Sequence, residues 1–122
     1  MTRGPAVERP YIIRKLDAVA PVPCPCGEAR RILTGADNAL LSIHRVSVSG
    51  AAKVHYHERL TEYYIVLSGS GRIFLNGEPH PVEANDVILI PPGTAHALDG
   101  AFEIINVVCP PFDPSDEHLV PE

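Results

Sequence analysis

The sequence predicts an all-β domain, a sandwich or barrel of short strands, and three observations predict it. Its apolar residues are mostly Val, Ile, Leu and Ala, gathered in short runs with no helical spacing between them. Thirteen Pro and nine Gly punctuate those runs. Turn signals recur at close intervals along the chain. With 122 residues, 45% of them hydrophobic, the chain is long enough for one domain with its own core.

The elements follow in order. Residues 1–27 hold five prolines and the stretch Pro21-Val22-Pro23-Cys24-Pro25-Cys26. Missing N–H groups there disfavour a central strand and predict an extended arm. Residues 30–34 suit a short edge strand, Gly35-Ala36-Asp37-Asn38 a turn, and 39–49 the first strand of the sheet proper. Residues 63–67 form a β-prone run stopped by Ser68-Gly69-Ser70-Gly71, and 72–75 form another before Asn76-Gly77. Asn-Gly between apolar runs favours a tight hairpin, because both residues tolerate positive φ. Pro81-Val82, then 87–90 before Pro91-Pro92-Gly93, and finally 102–108 complete the strands, with Glu83 and Asp86 as turn residues. The division expected is an arm over 1–27, a barrel over 28–110 and a tail over 111–122 packed outside the barrel with Phe112 as its anchor.

A formal net charge of -5 without a run of Lys or Arg gives no electrostatic footprint for a polyanion, so no nucleic acid is expected as partner. A small-molecule substrate or ligand is the expected one. No apolar stretch has the length of a signal peptide or a membrane span, so the expectation is a cytoplasmic protein without a membrane partner. Three cysteines are an odd number for a disulfide framework, and Cys24-Pro25-Cys26 lacks the two-residue spacer and second pair of a zinc knuckle. It reads as structural or incidental.

The chemistry concentrates on four residues. His55 and His57 stand one residue apart, so in a strand both imidazoles project from one face about 7 Å apart along the backbone. Glu62 opens the apolar run that follows, where a hairpin folds it back towards them. His96 lies beyond the Pro91-Pro92-Gly93 turn, where a neighbouring strand can deliver it from another side. Three imidazoles and a carboxylate make a borderline-to-hard site for one divalent ion: Fe(II), Mn, Ni, Co or Zn.

These residues resemble the two motifs of the cupin family. The first motif, Gly, five residues, His-x-His, three or four residues, Glu, six residues, Gly, corresponds to Gly50, His55-Tyr56-His57, Glu62 and Gly69, with the first spacing one residue short. The second, Gly, five residues, Pro-x-Gly, two residues, His, three residues, Asn, corresponds to Asn85, Pro91-Pro92-Gly93, His96 and Gly100; Asn85 stands for the Gly and Gly100 for the Asn. The resemblance implies a double-stranded β-helix barrel of the small single-domain type, with all four ligands pointing into its mouth and one or two coordination positions left for water or substrate. It also implies that a homodimer is to be expected, the proline-rich arm lying across a neighbour's sheet.

The bland readings stand beside these. His44, His80 and His118 read as ordinary surface or hydrogen-bonded residues, His44 being the best exception because its strand's inward parity is ambiguous. Tyr56 and Tyr63 read as packing residues. Tyr64 shares the face of Glu62 by alternation and is a candidate to orient a ligand with its hydroxyl; Arg72 is the nearest basic candidate for a ligand carboxylate, though an exposed position suits it better. The expected function is a metal-dependent enzyme, dioxygenase-like, with Glu62 and Tyr64 as its catalytic residues, Glu62 serving as ligand or proton acceptor. An isomerase acting on a sugar-like substrate and a non-catalytic small-molecule-binding barrel are the alternatives.

Overall fold

The computed structural model of the protein describes residues 11–121. Nine strands and a single 3-10 turn follow one another along these residues: β1 (Val22–Cys24), β2 (Gly27–Leu33), β3 (Ser42–Ala51), β4 (His55–Tyr56), β5 (Thr61–Leu75), β6 (Glu78–Glu83), β7 (Val87–Ile90), β8 (His96–Cys109), the turn Pro114–Asp116, and β9 (His118–Leu119). All pair antiparallel in one curled sheet, the barrel expected from the turn-punctuated sequence. Strand β8 is its spine, pairing with β3 and β4 on one edge and with β5 on the other. No helix among the described residues is long and apolar enough to cross a membrane.

Alternation along the strands decides what faces the interior. In β3 the buried residues are Ser42, His44, Val46 and Val48; in the first half of β5 Glu62, Tyr64 and Val66 alternate inward, and in the second half of β8 Phe102, Ile104 and Val108 are buried. Ile104 and Val108 are wholly buried, each side chain contributing about 1.5–3 kcal/mol on leaving water. The core thus fills one part of the barrel with aliphatic residues. Polar side chains in the same inward register fill the other.

Several boundaries differ from the sequence reading, each for a physical reason. Val22–Cys24 is a strand at the sheet edge where an arm was expected; Pro23 fits there because an edge strand can leave one side of its backbone unpaired. Residues 1–10 of that arm lie outside the described residues, and 11–21 carry no strand. Because β1 takes the edge, β2 is flanked on both sides. The two runs expected around Ser68-Gly69-Ser70-Gly71 are one 15-residue strand, β5, with a register shift between Val66 and Ser68. Gly69 explains the continuity: at φ +99 a Cβ would stand 1.9 Å from the Ala101 carbonyl oxygen, so glycine lets β5 run against β8 there and bend without stopping. Gly100 sits at φ +144 with Ser70 O 2.6 Å from where its Cβ would be, which accounts for a glycine where the motif has Asn. The Asn76-Gly77 turn forms as expected with both residues at positive φ, and Asn85 adopts the left-handed conformation at φ 77. Glu83 and Asp86 form their expected turn, the Glu83 N–H donating to Asp86 Oδ2 at 2.8 Å.

Candidate metal centre

The four predicted ligands come together from three strands and a loop. His55 lies in β4 directly opposite His96, the first residue of β8; His57 follows β4; Glu62 faces inward from β5. The Gly93 N–H donates to the His57 carbonyl at 2.6 Å, so the Pro91-Pro92-Gly93 turn is tied directly to the His-x-His segment. All four side chains are buried, and one ligand atom from each lies within 4.8 Å of the others.

The hydrogen bonds around the imidazoles fix what they offer. Each Nδ1 meets a backbone carbonyl: His55 that of Lys53 at 3.0 Å, His57 that of Asp116 at 2.8 Å, His96 that of Thr94 at 2.8 Å. A carbonyl only accepts, so Nδ1 carries the proton and a neutral ring turns a bare Nε2 lone pair inward. His57 Nε2 and His96 Nε2 lie 3.0 and 2.9 Å from Glu62 Oε1, yet none of these three atoms has a hydrogen bond of acceptable geometry. Leaving such a group buried and unsatisfied costs about 1–3 kcal/mol. With its rings neutral, as metal ligands are, the cluster gathers acceptors without a donor, which suits a cation, and the set fits a divalent transition metal.

Protonation follows the same logic in the ion-free protein. Burial pushes His55 down to about 4, and the neighbouring His96 adds to the effect. For His57 burial acts downward too, but the Glu62 carboxylate outweighs it and holds the ring above its ordinary value. Burial would raise Glu62, whereas His57 and His96 together keep it well below the usual carboxylate range. Glu62 is therefore a charged carboxylate. Its other oxygen, Oε2, accepts from Asn106 Nδ2 at 2.6 Å, leaving Oε1 turned to the imidazoles.

A small cavity of about 40 Å³ opens beside the cluster. Tyr64 lines it, as its alternation with Glu62 predicts, and burial keeps its phenol protonated far above neutral pH. His44 is on the wall as well, which resolves the ambiguous parity of β3: Ser42 and His44 face inward. Its Nε2 is 2.9 Å from Ser42 Oγ and its Nδ1 3.5 Å from the Arg31 guanidinium. Burial first, and Arg31 second, lower His44 to about 4.

Arg72 stands on the surface, the position that suits it better, and pairs with Asp99; the basic residue in the wall is Arg31, whose guanidinium lies 4.5 Å over the Phe112 ring. Phe112 anchors the tail, but inside the cavity mouth instead of outside the barrel, its N–H donating to Ser42 Oγ at 2.9 Å. His118 is a hydrogen-bonded residue, within its expected reading: it stacks on Tyr56 at 5.1 Å and its Nε2 lies 3.3 Å from Asp116 Oδ1. Cys24 and Cys26 line the cavity and pack against the core, which fits the structural reading. His80 remains on the surface beside Glu78.

Sequence reasoning missed Arg31, Asn106, Phe112, Asp116 and Glu117. Asn106 carried a signal, a polar residue in inward register between Ile104 and Val108. Asp116 carried none. Its buried carboxylate accepts the N–H groups of Glu58, Arg59 and Leu60 at 3.0, 2.9 and 3.1 Å. Although Glu58, Asp116 and His118 also converge, that carboxylate is engaged by backbone and serves as a cap for the loop before Glu62.

Three comparisons agree with this geometry. The cupin domain model matches residues 42–108. A crystal structure of a protein from Planctomyces limnophilus superimposes with a TM-score of 0.83 at 38% identity, covering 91% of this chain and 97% of that one. The nucleoside dehydratase Pac13 superimposes with a TM-score of 0.79 at 26% identity, covering 90% of this chain and 91% of that one, and a Streptomyces Pac13 variant holding uridine gives 0.80 at 26%, covering 91% and 92%. An uncharacterized protein of Methanocaldococcus jannaschii is 29% identical over 79 residues, 62% of this chain, and the match spans 63% of that relative's length.

Proposed function

The chain belongs to the cupin domain family, and from that premise we propose that it is a metal-dependent enzyme transferring protons on a small, polar, hydroxylated substrate, as in isomerisation or elimination. The observation that carries the metal is the set of inward Nε2 atoms around Glu62 Oε1, with His57 Nε2, His96 Nε2 and Glu62 Oε1 buried and without a hydrogen-bond partner. His55, His57, Glu62 and His96 hold the ion, which when bound supplies Lewis-acid polarisation of a carbonyl or hydroxyl oxygen.

The rest of the wall favours proton transfer over oxygen insertion. Tyr64, kept protonated by burial, donates a hydrogen bond to a substrate oxygen. Glu117 lines the cavity and is raised by burial, so it takes up a proton more readily than a surface carboxylate. Arg31, its guanidinium 4.5 Å over the Phe112 ring, offers its N–H groups to an anionic or oxygen-rich group of the substrate. Similarity to a nucleoside dehydratase points the same way. A dioxygenase-like reaction is the second reading, favoured by the three-histidine, one-carboxylate set, which also suits Fe(II).

The test is to incubate metal-loaded protein in D2O with uridine and with a panel of small hydroxy-carbonyl compounds, following deuterium incorporation by NMR alongside oxygen uptake. Exchange or elimination without oxygen uptake supports the proposal. Iron-dependent oxygen uptake moves the assignment to the second reading, and binding without either leaves a non-catalytic barrel.

We also propose that the chain forms a homodimer through the outer face of β5 and β7. Tyr63 opposite Leu89 and Ile65 opposite Val87 form an apolar patch, in which Val87 is 68% and Leu89 57% exposed.

A further inference from the structure

Cys24 ends β1 and Gly27 opens β2, and the two are register partners, so Pro25 and Cys26 form the hairpin turn. The turn brings the two sulfurs to 3.5 Å, and both side chains are part-buried in the wall of the metal cavity. Proline between them fixes one backbone torsion and limits how far the sulfurs can separate. Cys109, the other cysteine, lies at the far end of β8.

We propose that Cys24 and Cys26 are a reversible dithiol–disulfide couple, a redox modification site built into the cavity wall. The chemistry balances with a disulfide such as oxidised glutathione as the electron acceptor. The Cys24 thiolate attacks one glutathione sulfur, breaking the S–S bond and releasing one glutathione thiolate. Cys26, losing its proton to solvent, then attacks Cys24 Sγ, forming the internal disulfide and expelling the second glutathione. Two thiols are oxidised and one glutathione disulfide is reduced to two thiols.

The backbone N–H groups of Cys26 and Gly27 lie at Cys24 and favour it as the attacking thiolate: the hydrogen bond with Cys26 pulls Cys24 down to about 7 against burial, those N–H groups assisting, while that contact and burial push the Cys26 thiol up. Closing from the observed contact to a bond requires an approach of ~1.5 Å shared between two side chains. The turn is also connected to the metal cluster through the backbone. Pro25 O accepts the Lys53 N–H at 3.2 Å, and Lys53 O accepts His55 Nδ1–H at 3.0 Å. Forming the disulfide removes two thiol hydrogens from a wall shared with His55, His57 and Glu62.

The proposal stands on the sulfurs and does not rest on the metal reading. Protein as purified is equilibrated in glutathione buffers of increasing oxidised fraction, quenched with an alkylating agent, digested with trypsin and weighed. Cys24 and Cys26 fall in one peptide, residues 16–30, so the couple predicts a fully reversible interchange between the doubly alkylated peptide and one about two mass units lighter than its dithiol form. Cys109→Ser keeps that transition and Cys24→Ser abolishes it. Mixed glutathione disulfides accumulating at both cysteines without the internal disulfide, or both thiols remaining alkylatable throughout, would overturn it.

Discussion

The backbone carbonyl of Asp116 accepts the Nδ1 hydrogen of His57 at 2.8 Å while the carboxylate of the same residue accepts three N–H groups from the loop leading to Glu62. One residue of the tail therefore orients one metal ligand and braces the approach to another. Asp116→Asn keeps one acceptor oxygen and loses the charge, so the variant is expected to lose about 2–3 kcal/mol of stability and to melt earlier by calorimetry.

The same carboxylate makes a pH prediction. Burial opposes its ionisation, but the N–H groups of Arg59, Glu58 and Leu60 outweigh it and hold Asp116 at about 2, below its ordinary 3.8. A depressed carboxylate contributes stability in full above its unfolded value and loses it as pH falls through the folded one. Between about pH 4 and 2 the wild type should therefore lose a component of stability that Asp116→Asn does not have. Acid unfolding followed by circular dichroism on both proteins reads the difference.

Asn106 presents Glu62. With Asn106→Leu the Oε2 atom loses its 2.6 Å donor, and metal affinity is expected to fall about 10–100-fold with the fold retained. Competition against a fluorescent chelator measures the affinity, and thermal unfolding checks the fold.

The glycines of β5 and of the turns should differ sharply. Gly69→Ala drives a Cβ into the Ala101 carbonyl, whereas Gly77→Ala, also at positive φ, meets nothing within 4 Å. The first is expected to cost about 3 kcal/mol or more and the second about 1 kcal/mol. Urea unfolding of the two variants gives the ratio.

The proposed dimer makes a separate prediction. Ile65→Lys with Leu89→Lys places two charges in the exposed patch between β5 and β7, and light scattering should then report a monomer where the parent is a dimer. A monomeric parent contradicts the proposal.

The buried quartet His55, His57, Glu62 and His96 was legible because its signal is local: His-x-His sets two imidazoles on one face, and the turn residues around Glu62 and His96 bracket the others. Hairpins were legible for the same reason, Asn76-Gly77 being the clearest. What the chain joins at long range was not. Phe112 comes back to Ser42 and Asp116 to Glu58, contacts between segments more than fifty residues apart that no periodicity records. Strand ends at Gly69 and Gly100 misled for a related reason, since a glycine that ends a strand and one that lets two strands touch look alike until the partner strand is known.

The most direct test of the account is the metal content of untagged protein purified without chelators, measured by mass spectrometry beside His57→Ala and His96→Ala. The account predicts about one equivalent of a divalent transition metal in the parent and its loss in both variants, with Tyr64→Phe retaining it. A parent that takes up no metal even after reconstitution, or variants that keep it, would contradict the central claim.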